Sequence, residues 1–207
     1  MTEKFGETGV FAVGVDKSLQ LIPFAKRDNN GSEFVVSDGS YLPFKDSVFK
    51  TIVLNDVLEH VPYSDAMGLM EEAVRTMLND GRIYISVMNR WQIFEPHLMV
   101  PFMTWLPQQI RDMVYKLKTR RFGGTKYTQH YFPYTKARLE RLTQQLQLAS
   151  IDYTWVYGSE KICKPEQIGS SILRNLVKLF KAMKCDWFMI RLAEKVSPII
   201  FVCKRVD

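Results

Sequence analysis

The first ninety residues alternate between short apolar runs and segments with one apolar face. Val10–Asp16 (VFAVGVD), Glu33–Ser37 (EFVVS), Phe49–Asn55 (FKTIVLN) and Arg82–Met88 (RIYISVM) read as strands, rich in β-branched and aromatic residues and bounded by polar turns. Ser18–Lys26 between the first two has helical spacing, interrupted by Pro23. Ser64 is the predicted N-cap of a second helix, in which Met67, Met70, Val74, Met77 and Leu78 line one face and which Asn79-Asp80-Gly81 ends. Apolar strands separated by helices predict an α/β fold, a doubly wound and mostly parallel sheet covered on both faces.

From Asn89 the pattern changes. Residues 89–134 carry Pro96, Pro101, Pro107 and Pro133, loosely clustered aromatics and the basic run Lys116–Arg121, which predicts a helical insertion or lid. Thr135 is placed to cap a helix through Leu139, Leu142 and Leu146, and Ile151–Tyr157 reads as a fifth strand. Residues 166–184 predict a basic amphipathic helix. Its apolar face holds Ile168, Ile172, Leu176, Leu179, Phe180 and Met183, with Arg174, Lys178 and Lys181 on another face. Pro198–Lys204 is a last strand. The expected organisation is an α/β part over residues 1–88, the insertion over 89–134, and a C-terminal part over 135–207 that completes the sheet.

Composition refines this picture. A hydrophobic share of 46% and a charged share of 24% are an ordinary globular balance. The most apolar window, Trp187–Cys203, is broken by Arg191, Glu194, Lys195 and Pro198, so no spanning helix is expected, and the first residues show no secretory signal. Cys163, Cys185 and Cys203 are odd in number and widely spaced, which predicts reduced thiols in a cytoplasmic protein and no cysteine metal site. The net charge of +6 hides an asymmetry: residues 1–100 hold 9 Lys/Arg against 14 Asp/Glu, residues 101–207 hold 19 against 8. An acidic half followed by a basic half suggests two tasks.

Ligands in open α/β sheets bind beyond the carboxyl ends of the strands. Three successive strand ends carry polar groups: Asp16, then Asp38-Gly39-Ser40, then Asn55-Asp56. One carboxylate there can accept from both hydroxyls of a ribose and the next from an exocyclic amine, with neighbouring backbone N–H groups meeting ring nitrogens. An adenosine along the sheet edge suits this spacing. The same spacing also suits Asp16 and Asp38 as caps of turns, and the residues alone leave both readings open.

The segments Val13-Gly-Val-Asp-Lys-Ser18, Ser37-Asp-Gly-Ser-Tyr-Leu-Pro-Phe44, Thr51-Ile-Val-Leu-Asn-Asp-Val-Leu-Glu-His-Val61 and Gly81-Arg-Ile-Tyr-Ile-Ser86, in this order, resemble class I S-adenosylmethionine-dependent methyltransferases, closest to the type 11 group. The stretch Asn89-Arg90, Phe94-Glu95-Pro96-His97 and Trp105-Leu-Pro107 resembles a substrate-side insertion of some bacterial members. The resemblance implies that Asp16, followed by Lys17, holds the ribose hydroxyls of S-adenosylmethionine. It implies that Asp38 holds the adenine amine with Gly39 and Ser40 beside the ring, and that Asn55 and Asp56 lie near the methionine part. His60 reads as structural rather than catalytic.

The family begins with a strand and a G-x-G-x-G turn about two dozen residues ahead of the acid at the second strand end. Here 15 residues precede Asp16, and their glycines are Gly6, Gly9 and Gly14. The resemblance therefore implies a chain lacking the family's first, central strand, with a weakened cofactor site. Two lost hydrogen bonds to charged groups amount to roughly 3–6 kcal/mol. About four lost core side chains amount to roughly 6–12 kcal/mol. Either the strands ending at Asp16 and Asn55 would then pair directly, or a partner would fill the gap, or the chain by itself would be only marginally stable.

Methyl transfer from a sulfonium is an in-line displacement that needs positioning, exclusion of water and, for a hydroxyl acceptor, a base. His97 is the candidate base and Glu95 the second, with His130 weaker. The expected acceptor is a small molecule, with the basic half suiting an acidic or phosphorylated one. The helix over 166–184 suits peripheral contact with an anionic membrane. The interleaved basic and aromatic residues of Met113–Lys136 are the only feature pointing to RNA, and no Asn-Pro-Pro-Tyr motif accompanies them. The alternatives are an inactive methyltransferase-like binding module and an RNA methyltransferase.

Overall fold

In the computed structural model the strands divide between two sheets. The structure describes residues 9–27, 32–93, 100–122, 131–163, 171–183, 190–192, 194–195 and 197–206. Strand β1 (Ala12–Asp16) pairs in parallel with β2 (Ser32–Val36), and helix α1 (Ile22–Arg27) crosses between them. Strands β3 (Phe49–Asn55), β4 (Met77–Val87), β5 (Leu148–Asp152) and β6 (Ile199–Arg205) form a second sheet in the order β3-β4-β6-β5. β3 and β4 are parallel, and β6 runs antiparallel between β4 and β5. The α/β fold is thus built on a mixed sheet, and β1 and β3 belong to separate sheets and do not pair.

The core lies on the four-stranded sheet. Ile83, Ile85, Val87, Ile199, Phe201 and Cys203 from β4 and β6 are buried with Leu69, Met70 and Ala73 of helix α2 (Ala66–Thr76) and Leu139 of helix α4 (Lys136–Gln145). The same cluster takes nothing from β1 or β2, whose residues are half-buried or exposed. The insertion adds a smaller core in which Met103 and Tyr131 pack on Met88, just past β4, with Leu106 and Val114 beside them. Val114 belongs to helix α3 (Gln108–Phe122).

Local chemistry sets several boundaries away from the predicted ones. Ser64 bonds the carboxylate of Asp65, the residue at the N-cap, so it does not cap α2 itself. α2 stops at Thr76, and Met77 and Leu78 open β4 instead of closing the helix. Asn79-Asp80-Gly81 is carried inside that strand by a bulge opposite Phe49/Thr51, stapled by an ion pair between Lys50 and Asp80. Thr135 caps α4 as predicted, its hydroxyl accepting from the Arg138 N–H at 3.2 Å. The predicted strand Ile151–Tyr157 ends at Asp152, whose Oδ1 accepts from the Thr154 N–H at 2.8 Å and starts helix α5 (Thr154–Cys163). The predicted basic helix is α6 (Ser171–Ala182), with residues 166–170 and 184 outside the described residues. Among its described side chains Val177 is buried and Leu179 of the predicted apolar face exposed, as is Met183 just beyond it, and the side chains of Ile172, Leu176 and Phe180 lie outside the description.

Candidate functional site

The first half of the site sits at the carboxyl ends of β1 and β2. Gly14 faces Phe34 across the register, and a Cβ there would lie 2.6 Å from the ring, so glycine lets the two strands close. The half-buried Asp16 accepts the Ser18 N–H on Oδ1 at 2.7 Å, and its carbonyl accepts from the Ser37 N–H at 3.1 Å, tying the two strand ends together. Asp38, exposed, accepts the Ser40 N–H at 2.9 Å. Each carboxylate therefore does cap a turn with one oxygen, and among the described residues the second oxygen accepts no hydrogen bond. The two sequence readings are compatible. Lys17 is exposed. Gly39 has a second reason to be glycine, since an added Cβ would meet Leu69 of α2 at 3.0 Å.

A polar clamp fixes the following turn to α2. Arg75 donates to the carbonyls of Phe44 and Leu42, at 2.8 and 3.1 Å, and to the carboxylates of Asp46 and Glu72, at 2.7 and 2.6 Å. Glu72 also accepts the Leu42 N–H at 2.8 Å. The guanidinium beside it holds the Glu72 carboxyl below the usual carboxylate range.

The second half sits at the end of β3. Asp56 has a left-handed backbone (φ 54°), which Asp tolerates better than most residues. Its N–H donates to the Ser86 carbonyl at 2.9 Å, and its Oδ2 accepts from the Asn55 carboxamide at 2.9 Å. Asp56 is exposed and Asn55 half-buried.

Beyond this turn lies a group that sequence reasoning missed. Glu59, in the 3-10 turn Leu58–His60, is only 2% exposed. Its Oε1 accepts the Met88 N–H at 3.2 Å, and its carbonyl accepts the Phe132 N–H at 2.8 Å. Its Oε2 is buried without a hydrogen-bond partner, as is the Tyr134 hydroxyl. Burial first, and the nearby Asp56 charge, push the Glu59 carboxyl up to about 7. The signal was an acid inside the apolar phrase Val57-Leu-Glu-His-Val61. His60 beside it lies 4.9 Å, ring to ring, from Tyr131.

These bonds bring residues 131–134 and the insertion onto the end of β4. The Tyr134 N–H donates to Met88 and the Arg90 N–H to Tyr134, at 2.8 and 2.7 Å. The Asn89 carboxamide is buried and donates to the carbonyls of Lys195 and Ser197, at 2.9 and 2.8 Å. Glu95, His97, Tyr127 and His130 lie outside the described residues. On either side of residues 94–99, the Phe102 N–H donates to the Ile93 carbonyl at 2.6 Å. Among the described residues no group of His, Cys, Asp and Glu is arranged to hold a metal ion, and no helix is long and apolar enough to cross a membrane.

Residues 1–85 match the family model described as a methyltransferase domain. The uncharacterized protein MJ1123 of Methanocaldococcus jannaschii is 32% identical over 89 residues, which are 43% of this chain and 42% of that protein. The chain thus spans less than half the length of that relative. The fold is similar to that of a SAM-dependent methyltransferase from Methanosarcina mazei, with a TM-score of 0.54 at 13% identity, covering 99% of this chain and 86% of that one. It is similar to a SAM-dependent methyltransferase from Archaeoglobus fulgidus, with a TM-score of 0.54 at 14% identity over 98% and 80% of the two chains. It is also similar to magnesium protoporphyrin IX methyltransferase from Synechocystis with bound SAH, with a TM-score of 0.52 at 14% identity over 99% and 68%. Residues 1–85 thus match a methyltransferase domain, and the fold is similar to that of SAM-dependent methyltransferases.

Proposed function

We propose that the protein transfers a methyl group from S-adenosylmethionine to a small-molecule acceptor. The observation that carries this reading is the second, unengaged carboxylate oxygen of Asp16 and of Asp38 at adjoining strand ends. A carboxylate oxygen only accepts, and ribose hydroxyls and an adenine amine can both donate to it, so the residues present fit the cofactor's nucleoside. Asp16 would accept from the ribose. Asp38 would accept from the amine, with the backbone of Gly39 and Ser40 beside the ring. Asn55 and Asp56 would border the methionine part. S-adenosylmethionine supplies a methyl activated on a sulfonium sulfur, and the chain's task is to align the acceptor and exclude water. His97, with Glu95 second, is the base we assign to a hydroxyl acceptor. The 19 Lys/Arg against 8 Asp/Glu of residues 101–207 favour an acidic or phosphorylated acceptor.

Calorimetric titration with S-adenosylhomocysteine, on protein first checked for folding by circular dichroism, tests the reading. Micromolar binding that Asp16→Ala abolishes is expected. No heat up to millimolar ligand, from folded protein, would overturn it.

A further inference from the structure

We propose that the outer face of the insertion, built on Trp91, Phe102 and Trp105 and continued along α3, docks on an anionic lipid bilayer. This goes beyond methyl transfer and does not depend on it. The insertion has two apolar faces. The inner one, with Met103, Leu106 and Val114, packs on Met88 and Tyr131 at the end of β4. The outer one is open. Trp91, Phe102 and Trp105 are 52%, 49% and 43% exposed. They still form one cluster, with ring centroids 5.9 Å apart for Trp91–Trp105 and 5.0 Å for Phe102–Trp105. Three residues past Trp105, α3 begins, and its Ile110, Met113 and Leu117 recur at helical spacing and are also exposed. A helix apolar on its inner and outer sides is expected to be covered on both.

The backbone singles out the same patch. Phe102 has a left-handed backbone (φ 59°), a strained conformation for an aromatic residue, and is about half exposed. Asn or Gly would hold that turn with less strain. The ring's contribution to the isolated fold does not account for its presence, which points to something that covers it.

Charge and residue type select the occupant. Residues 89–122 carry six Lys/Arg against Glu95 and Asp112; Arg111 is buried, whereas Arg90 is next to Trp91 and an exposed Lys116 stands between Met113 and Leu117. Tryptophan beside cations suits the headgroup level of an anionic membrane. The helix expected from sequence to make this contact, α6, is the weaker candidate: among its described side chains Val177 is buried and the exposed large apolar one is Leu179.

Co-sedimentation of the whole chain with phosphatidylcholine vesicles, with and without 30 mol% phosphatidylglycerol (roughly, a strongly anionic surface), tests this. Binding is expected only to the anionic vesicles. Phe102→Asn is expected to keep or raise the melting temperature while weakening vesicle binding at least about tenfold. Trp105→Ser should weaken binding similarly, and Lys178→Glu with Lys181→Glu should change it by less than about threefold. Absence of binding to anionic vesicles would overturn the proposal. So would loss of binding in the α6 variant with none in Phe102→Asn. A stable dimer in sedimentation equilibrium that Trp105→Ser dissolves would assign the face to a second copy and overturn it equally.

Discussion

At the scale of single residues, the most consequential side chain is Glu59. It joins the turn after β3, the end of β4 and the segment 131–134, and it does so as a nearly sealed carboxyl. Burial raises its pKa from 4.5 to about 7, so the folded state retains a proton that the unfolded chain releases from about pH 4.5. The sign follows directly: for an acid with a raised folded-state pKa, the stability is fully present below pH 4.5 and is lost as pH rises toward 7. The whole effect is about 3 kcal/mol at most. Glu59→Gln keeps an oxygen for the Met88 N–H and has no proton to lose. Denaturant unfolding between pH 4.5 and 8 is expected to show stability falling in the wild type and a flatter profile in Glu59→Gln. A profile unchanged by the substitution would mean that Glu59 is ionised in the folded protein.

At the scale of elements, the clamp of Arg75 and Glu72 does what helix propensity alone does not. It pins the carbonyls of Leu42 and Phe44 to α2, and with them the turn that carries Asp38, Gly39 and Ser40. Arg75→Ala is expected to weaken S-adenosylhomocysteine binding several-fold, roughly as loss of a positioning contact does, while leaving circular dichroism near that of the wild type. Because the Glu72 carboxyl is held low, the clamp's stability is present above the ordinary carboxylate range and is lost as pH falls below that range. Binding that ignores Arg75→Ala would show that the turn is set by Gly39 on Leu69 alone. Elements of this kind were only partly legible in the sequence. β1, β2 and β3 were readable because apolar runs bounded by polar turns have no competing reading. The end of β5 was not, because Trp155-Val-Tyr157 has the composition of a strand and only the Asp152 side chain, by taking the Thr154 N–H, turns it into α5. The start of β4 was missed because Met77 continues the apolar face of α2 by spacing, while its chain has already crossed into the bulge.

At the scale of the whole molecule, the candidate site spans two bodies of different solidity. The order of acids along the strand ends was legible because ligand sites in such sheets depend on where strands stop. The separation of the sheets was not legible, since direct pairing, a partner in the gap and a marginal chain were the readings the sequence offered, and pairing across a gap is a property of three dimensions. Glu59 escaped because burial of a lone acid leaves no periodic trace. The consequence is testable. Ile83, Ile85, Phe201 and Cys203 of β4 and β6 are fully buried or nearly so, whereas β1 and β2 contribute nothing to that core. Amides of Ile83, Ile85 and Phe201 should therefore exchange through global unfolding, and those of Val13, Val15 and Val35 through local opening, roughly a hundredfold faster or more. A ligand that binds only the closed form slows opening in proportion to its excess over Kd. If Asp16 and Asp38 hold the nucleoside, S-adenosylhomocysteine at about 100 times its Kd should slow exchange in β1 and β2 by up to about a hundredfold. It should act little on β6. Uniform slowing of both sheets would instead mean that they open together, and the division of the molecule into a firm sheet and a ligand-dependent pair would be wrong.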